Sequence, residues 1–310
     1  MKVYSPVRKK SIYRGKDKRP NFIIKIILLL IFISLIFLGI SKTYTPKQDI
    51  SLKYKKILEK DPANIEAYIS LGECYYHKAL EEELKGNEKE VAILLENSLK
   101  YYQNAIKLDE KEEKISPQVH YQCGIAYFKL SRYAKGKDYY EQAQSALKKS
   151  LKGKFETPET HIYLGHIYFK KGLYNDAIEE YTQAKTLNPD DVSAWYNIGW
   201  VYKVKGMPNN ALSAFRNAVN IPNLDKAISI KIRTVMAELY YQQDLMEHAK
   251  DEYKAILKLN RSSEIAHYKL GKIHKNQGDI ASAEKELKTV LKINPANKEA
   301  KEELNNLKKR

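Results

Sequence analysis

The same arrangement of residues returns along this chain about every 34 positions, and residues 158–191 hold its clearest copy. There Leu164-Gly165 and Tyr168 are followed by Ala177, Tyr181 and Ala184, and then by Asn188-Pro189. A fixed period of this length predicts an array of helix pairs, each too small to bury its apolar face without neighbours. Within the unit, steps of i, i+4 and then i, i+4, i+7 put one apolar stripe on each of two short helices. Gly165, Ala177 and Ala184 let the two backbones approach. Gly172 breaks the first helix from the second, and Asn188-Pro189 stops the second.

At these residues the chain resembles the tetratricopeptide repeat family, whose pattern is an aromatic, Leu-Gly, Tyr, Ala, aromatic, Ala and Pro. Residues 192–229 repeat it with Trp195, Ile198-Gly199, Tyr202, Ala211, Phe215 and Ala218. Residues 230–263 do so with Met236-Ala237, Tyr240, Ala249, Tyr253 and Ile256, and 264–297 with Leu270-Gly271, His274, Ala283, Leu287, Val290 and Pro295. Two earlier units carry extra residues. In 65–116, Tyr68, Leu71-Gly72 and Tyr75 match the first helix, but Ser98, Tyr102 and Ala105 arrive about 14 residues late. Leu80, Leu84, Val91, Leu94, Leu95 and Leu99 keep helical spacing across the gap, around a Gly86-Asn87 turn. This predicts a hairpin about two turns longer on each helix, projecting beyond its neighbours. In 117–157, Cys123-Gly124 and Tyr127 precede Ala143, Leu147 and Ser150 with about seven extra residues. Residues 42–64 read as a linker and a lone helix with Tyr54 and Ile57 in phase, and 298–310 as a polar capping helix. The resemblance implies an all-α, right-handed α-solenoid of about six helix hairpins.

The amino terminus is a different object. Residues 1–20 carry eight Lys and Arg against Asp17, a net of +7, and are expected to be a basic cytoplasmic tail. From Phe22 to Ile40 the chain is nearly all Ile, Leu and Phe. At about 1.5 Å per residue this run reaches across a hydrocarbon core, so 21–41 reads as one transmembrane helix in front of the array. Lys25 sits near the charged end, where it can snorkel. A cleavable signal peptide is the competing reading, but the run is long for one and no Ala-x-Ala follows it. The charge bias favours the tail inside and the repeats outside, in the periplasm of a bacterial cell. The tail would also meet anionic lipid. With +16 on the whole chain, about +8 remains for the soluble part. That is a mixed surface with no dense basic stripe, so nucleic acid is not an expected partner.

No residue set points to catalysis, a cofactor or a metal. The phosphate loops, nucleophile elbows and His-Glu-x-x-His helices that would signal an enzyme are missing from the sequence. His161 and His166 lie five apart, too far around a helix to converge on one ion. His267 and His274 share a face but occupy packing positions of the repeat. Cys74 and Cys123 also fall at packing positions, and read as small hydrophobes. Glu81-Glu82-Glu83 and Lys111-Glu112-Glu113-Lys114 read as solvated faces and linkers.

The resemblance implies a partner-binding groove on the first helices. Carried over by position, it holds Tyr121 and Ile125, then Ile162, Tyr163, His166 and Phe169, then Tyr196, Asn197, Trp200 and Lys203. Further along it holds Lys231, Tyr241, Tyr268, Lys269 and Lys272. Trp200 stands out, because the repeat pattern asks for no aromatic beside Gly199; packing against a neighbouring repeat is the competing role. Some family members grip a terminal carboxylate with a Lys/Asn/Arg set. Asn197 and Lys231 match that set, whereas Ile162, His166 and Val235 depart from it. The expected function is a non-catalytic scaffold or assembly factor docking an envelope partner, of secretion, cell-wall or flagellar machinery. Alternatives are a periplasmic holdase for extended clients and a tether for a catalytic subunit. Oligomeric state is open.

Overall fold

The structure is a computed structural model, and it describes residues 50–109, 115–134 and 138–308. Those residues form fourteen helices and no strand. The expected tail 1–20, membrane segment 21–41 and charged run 111–114 lie outside the described residues. No helix among the described residues is long and apolar enough to cross a membrane.

A short helix α1 (Ile50–Lys60) leads into six hairpins. They are α2 (Ile65–Lys85) with α3 (Glu88–Asp109), α4 (Pro117–Tyr133) with α5 (Tyr140–Lys152), and α6 (Pro158–Lys170) with α7 (Tyr174–Leu187). Then follow α8 (Val192–Val204) with α9 (Pro208–Val219), α10 (Lys226–Gln242) with α11 (Met246–Leu259), and α12 (Glu264–Asn276) with α13 (Ile280–Ile293). A last helix, α14 (Lys298–Lys308), buries Ala300, Leu304 and Leu307 against Ala283, Leu287 and Val290 of α13. It thereby closes the apolar end of the array.

The repeated residues are the ones that meet. Leu164, Ala177, Tyr181 and Ala184 are each at most 1% exposed, as are Ala211, Phe215 and Ala218 one repeat on. The close approach depends on Gly165, where an added Cβ would stand 2.5 Å from Tyr181 Cε1. Helix starts are set by side-chain caps: Thr157 accepts from the Thr160 N–H, Asp191 from Ser193, and Ser263 from Ala266. The turn inside a hairpin needs one left-handed residue, which Gly172 supplies at φ 75° and Asp244 supplies in the fifth hairpin at φ 58°.

The first hairpin is long. Helices α2 and α3 have 21 and 22 residues, against 13 and 14 for α6 and α7, or about 12 Å more on each. It does not project alone. Helix α4 has 17 residues and runs beside it, and Glu83 is held by Lys129 Nζ at 2.7 Å and Tyr133 Oη at 2.5 Å. Glu83 is therefore no solvated charge. The longer α4 gives it partners, and those contacts lower its carboxyl below the usual range against the opposing effect of burial. Inside this lobe Cys123 is buried, which pushes its thiol up to about 12 and leaves it an inert packing group.

Candidate functional site

The first helices α4, α6, α8, α10 and α12 carry all the residues expected in a groove. The structure sorts them into four groups. Five of them, Ile162, His166, Tyr196, Asn197 and Lys231, line one hollow of about 340 Å3 that spans α6, α8 and α10. Val192, Ser193 and Ile228 complete its wall.

This hollow has an aromatic and cationic wall. The Tyr196 ring lies 5.8 Å from the Phe215 ring, so a core residue backs it, and Lys231 Nζ stands 4.9 Å over its face. His166 Nδ1 is 2.8 Å from Tyr181 Oη, and the imidazole stacks on Phe128 at 5.9 Å. Burial, helped by Lys170 and Arg132, pushes His166 down to about 4, so the ring is neutral at physiological pH. Asn197 adds an amide that both donates and accepts. Such a wall can grip a polypeptide through aromatic area, the Lys231 cation and neutral hydrogen bonds. Among the described residues no cluster of His, Cys, Asp and Glu could hold a metal ion.

Trp200 does not line the hollow. It is half-buried against the core of the fourth to sixth hairpins, 6.1 Å from the Tyr196 ring, with Lys203 Nζ 4.3 Å over its own ring. Toward the amino terminus, Tyr121 meets Phe155 at 5.3 Å, Tyr163 meets Phe128 at 5.1 Å, and Phe169 meets Tyr174 at 5.7 Å. Ile125 is only 8% exposed and belongs to the interior. Toward the other end, Tyr241 Oη accepts from Asn276 at 3.1 Å, and Lys272 Nζ stands 5.9 Å over the Tyr268 ring, with Lys269 half-buried on the same helix.

Val192, Ser193 and Ile228 were not legible by transferring repeat positions. Ile228 lies upstream of the residue where a regular fifth hairpin would begin, because α10 starts at Lys226 and is 17 residues long. The signal was the four extra residues of 192–229, which lengthen that helix backwards over the hollow.

Comparisons with known proteins agree with the repeat architecture. A model described as TPR repeat matches residues 165–206, and one described as tetratricopeptide repeat matches 117–152, 192–223 and 265–297. No curated protein sequence matches the chain. Among solved structures, the C-terminal part of a TPR repeat-containing protein from Cytophaga hutchinsonii is 18% identical with a TM-score of 0.57, covering 75% of this chain and 84% of that one. PilF of Pseudomonas aeruginosa is 15% identical with a TM-score of 0.50, covering 78% of this chain and 98% of that one. At such identities the likeness shows the fold alone. The chain thus contains tetratricopeptide repeats in an all-helical solenoid, and proteins built from such repeats generally mediate contacts between proteins.

Proposed function

We propose that this chain is a non-catalytic docking scaffold, held in a bacterial cytoplasmic membrane by residues 22–40, with its repeats in the periplasm gripping a partner of an envelope complex. The observation that carries the docking role is the hollow that Tyr196, Asn197, His166 and Lys231 form across three successive hairpins. Only a ligand that runs across the repeats reaches all three helices, and a polypeptide segment does so. Rigid aromatic area beside an exposed lysine is the composition of a recognition surface. The anchor and its orientation rest on the apolar run, the basic tail and the charge bias of the flanks.

The test is in-cell crosslinking of the full-length chain, followed by mass spectrometry of what co-purifies. A small stoichiometric set of envelope proteins is expected, and the double variant Asn197→Ala/Lys231→Glu should recover it at least tenfold less well. Equal recovery would remove the hollow from the function. A broad, substoichiometric spread of secreted proteins would favour the holdase. Protease added to spheroplasts should digest the repeats; protection there would reverse the topology.

A further inference from the structure

The two ends of the array are closed by single helices of opposite character. At the carboxyl end α14 carries three lysines and three glutamates, a neutral mixture, beside the apolar residues it buries on α13. At the amino end α1 carries four lysines and Glu59 as its one carboxylate, a net of +3. The inner side of α1, packed on α2, holds Ser51, Tyr54, Ile57 and Leu58, all buried or half-buried. Leu52, Lys56 and Lys60, at i, i+4 and i+8, form an exposed outer row, flanked by Lys53 and Lys55. Terminal caps of a solenoid are ordinarily polar on that side. Here Leu52 is 53% exposed, and Ile50 at the start of the same helix is 56% exposed.

The same pairing of apolar area with lysine continues beside α1. Lys55 Nζ stands 5.6 Å over the Tyr75 ring of α2, and Lys78 Nζ stands over that ring at 5.6 Å as well. Tyr75 stacks on Tyr101 of α3 at 5.3 Å, and Tyr68 lies 6.3 Å from Tyr101. All three tyrosines are half-buried. A tyrosine has an apolar body and a polar tip, and lysine stems lie along apolar surface while their ammonium groups stay wet. Both suit the boundary between hydrocarbon and headgroups. The carboxylate that follows α1, Asp61, is engaged by its own turn, where it accepts from the Ala63 N–H at 3.2 Å and from Asn64 Nδ2 at 3.1 Å.

What this face meets follows from where it is tied. Residues 41–49 alone separate the apolar run 22–40 from α1, and their charges are Lys42, Lys47 and Asp49. Fully extended, such a tether reaches about 30 Å. With 22–40 in a bilayer, α1 is confined within that distance of the headgroups, whereas α14 stands beyond six hairpins. A short tether holds its ends at an effective concentration on the order of mM, so a weak attraction is enough to keep them together. A headgroup layer offers anions at its surface and hydrocarbon just beneath, which matches lysines set around Leu52.

We infer that the outer face of α1 rests on an anionic membrane surface, with Lys53, Lys56 and Lys60 on lipid headgroups and Leu52 at the acyl boundary. The inference rests on the reading of 22–40 as a membrane anchor, and it adds a second contact that holds the array by its amino end. The test reconstitutes the full-length chain in phosphatidylcholine vesicles with and without phosphatidylglycerol. Photoactivatable lipids carry a label either in the acyl chain or at the headgroup, and labelled peptides are read by mass spectrometry. Residues 22–40 should take the acyl label in both vesicles. Helix α1 should take the headgroup label at least tenfold more strongly with phosphatidylglycerol present, and α14 should take none. Lys53→Gln/Lys56→Gln/Lys60→Gln alters exposed side chains and leaves the tether as it is, so it should abolish that gain without changing the melting temperature. If 22–40 is labelled but α1 is not, the inference is overturned and the anchor stands. Equal labelling of α1 without phosphatidylglycerol, or in the triple variant, overturns it too. No acyl label on 22–40 would remove the anchor and this contact together. In-cell crosslinks from α1 to an acidic protein, with no headgroup label, would make the face a protein contact instead.

Discussion

The lobe of α2 to α5 and the array of α6 to α13 use one repeat in two ways. In the array three of four hairpins are closed by the same side-chain tie to a glutamate, His161–Glu180, Arg233–Glu252 and His267–Glu286; the fourth sets Trp195 against Ala214. The lobe has Tyr68 against Tyr101 at 6.3 Å in its first hairpin, and His120 beside Ala146 in its second. Among the described residues it also holds three buried oxygens without a hydrogen-bond partner, Tyr102 Oη, Asp109 Oδ1 and Gln122 Oε1, while the array holds one, Tyr253 Oη. Where the tie is kept the hairpin is a standard part. Where His120 faces Ala146 instead, the fold leaves an open recess between α3, α4 and α5.

If the two regions are separate, damage to one should stay there, because repeats contact only their neighbours. The junction between them is a shared core in which Ala143 and Leu147 pack with Leu164 and Ile167, flanked by Lys171 meeting Glu141 at 2.7 Å and Gln144 at 2.6 Å and by Phe128 over Tyr163. Phe215 is fully buried at the centre of the array, and Phe215→Ala should cost about 3–5 kcal/mol. Hydrogen exchange should lose protection across α8 to α11 and keep it in α2 to α5. Equal loss in both would make lobe and array a single cooperative unit.

Histidines sharpen the contrast, since His161 and His120 occupy the same repeat position. Chiefly the hydrogen bond that Glu180 accepts, with the one to Glu156 adding to it, raises His161 above its ordinary 6.5 despite burial. A raised value stabilises the fold below 6.5, and that stability is lost as pH rises through the folded value. His120 is lowered by burial, so its contribution is lost as pH falls below 6.5. His166, lowered to about 4, acts in the same direction and should cost about 3 kcal/mol between pH 6.5 and 4. Melting against pH should therefore show Glu180→Gln flattening the alkaline side and His166→Gln the acid side. Identical profiles for Glu180→Gln and the parent chain would show that the tie carries no charge.

The repeat was legible because its residues are core residues, and a core position admits few side chains: Ala177, Tyr181 and Ala184 declare their spacing wherever they recur. The hollow was half legible. His166, Tyr196, Asn197 and Lys231 follow from repeat register, whereas Ile228 enters through a lengthened helix that register cannot anticipate. Trp200 looked like a ligand anchor by its type, yet a residue beside the Gly199 contact also faces the next hairpin, and there it packs. The ties were present at a spacing of 19 in the sequence. Comparing histidines with one another for metal geometry conceals them, because their partners are glutamates on the second helix.

The smallest expected effect concerns one hydroxyl at one repeat position. Tyr181 and Tyr253 both fill the centre of a hairpin, at 1% and 0% exposure. Tyr181 Oη is bonded to His166 Nδ1, while Tyr253 Oη is buried without a partner among the described residues. Removing a bonded hydroxyl leaves the other partner unsatisfied, whereas removing an orphaned one relieves a desolvated group. Tyr181→Phe should therefore lower stability by about 1 kcal/mol in urea denaturation, and Tyr253→Phe should leave it unchanged or slightly raised. His166 lines the hollow, so Tyr181→Phe should also weaken partner recovery while Tyr253→Phe does not. Equal losses of stability would mean that a buried water satisfies Tyr253; unchanged recovery with Tyr181→Phe would mean that His166 needs no support from the core to shape the hollow.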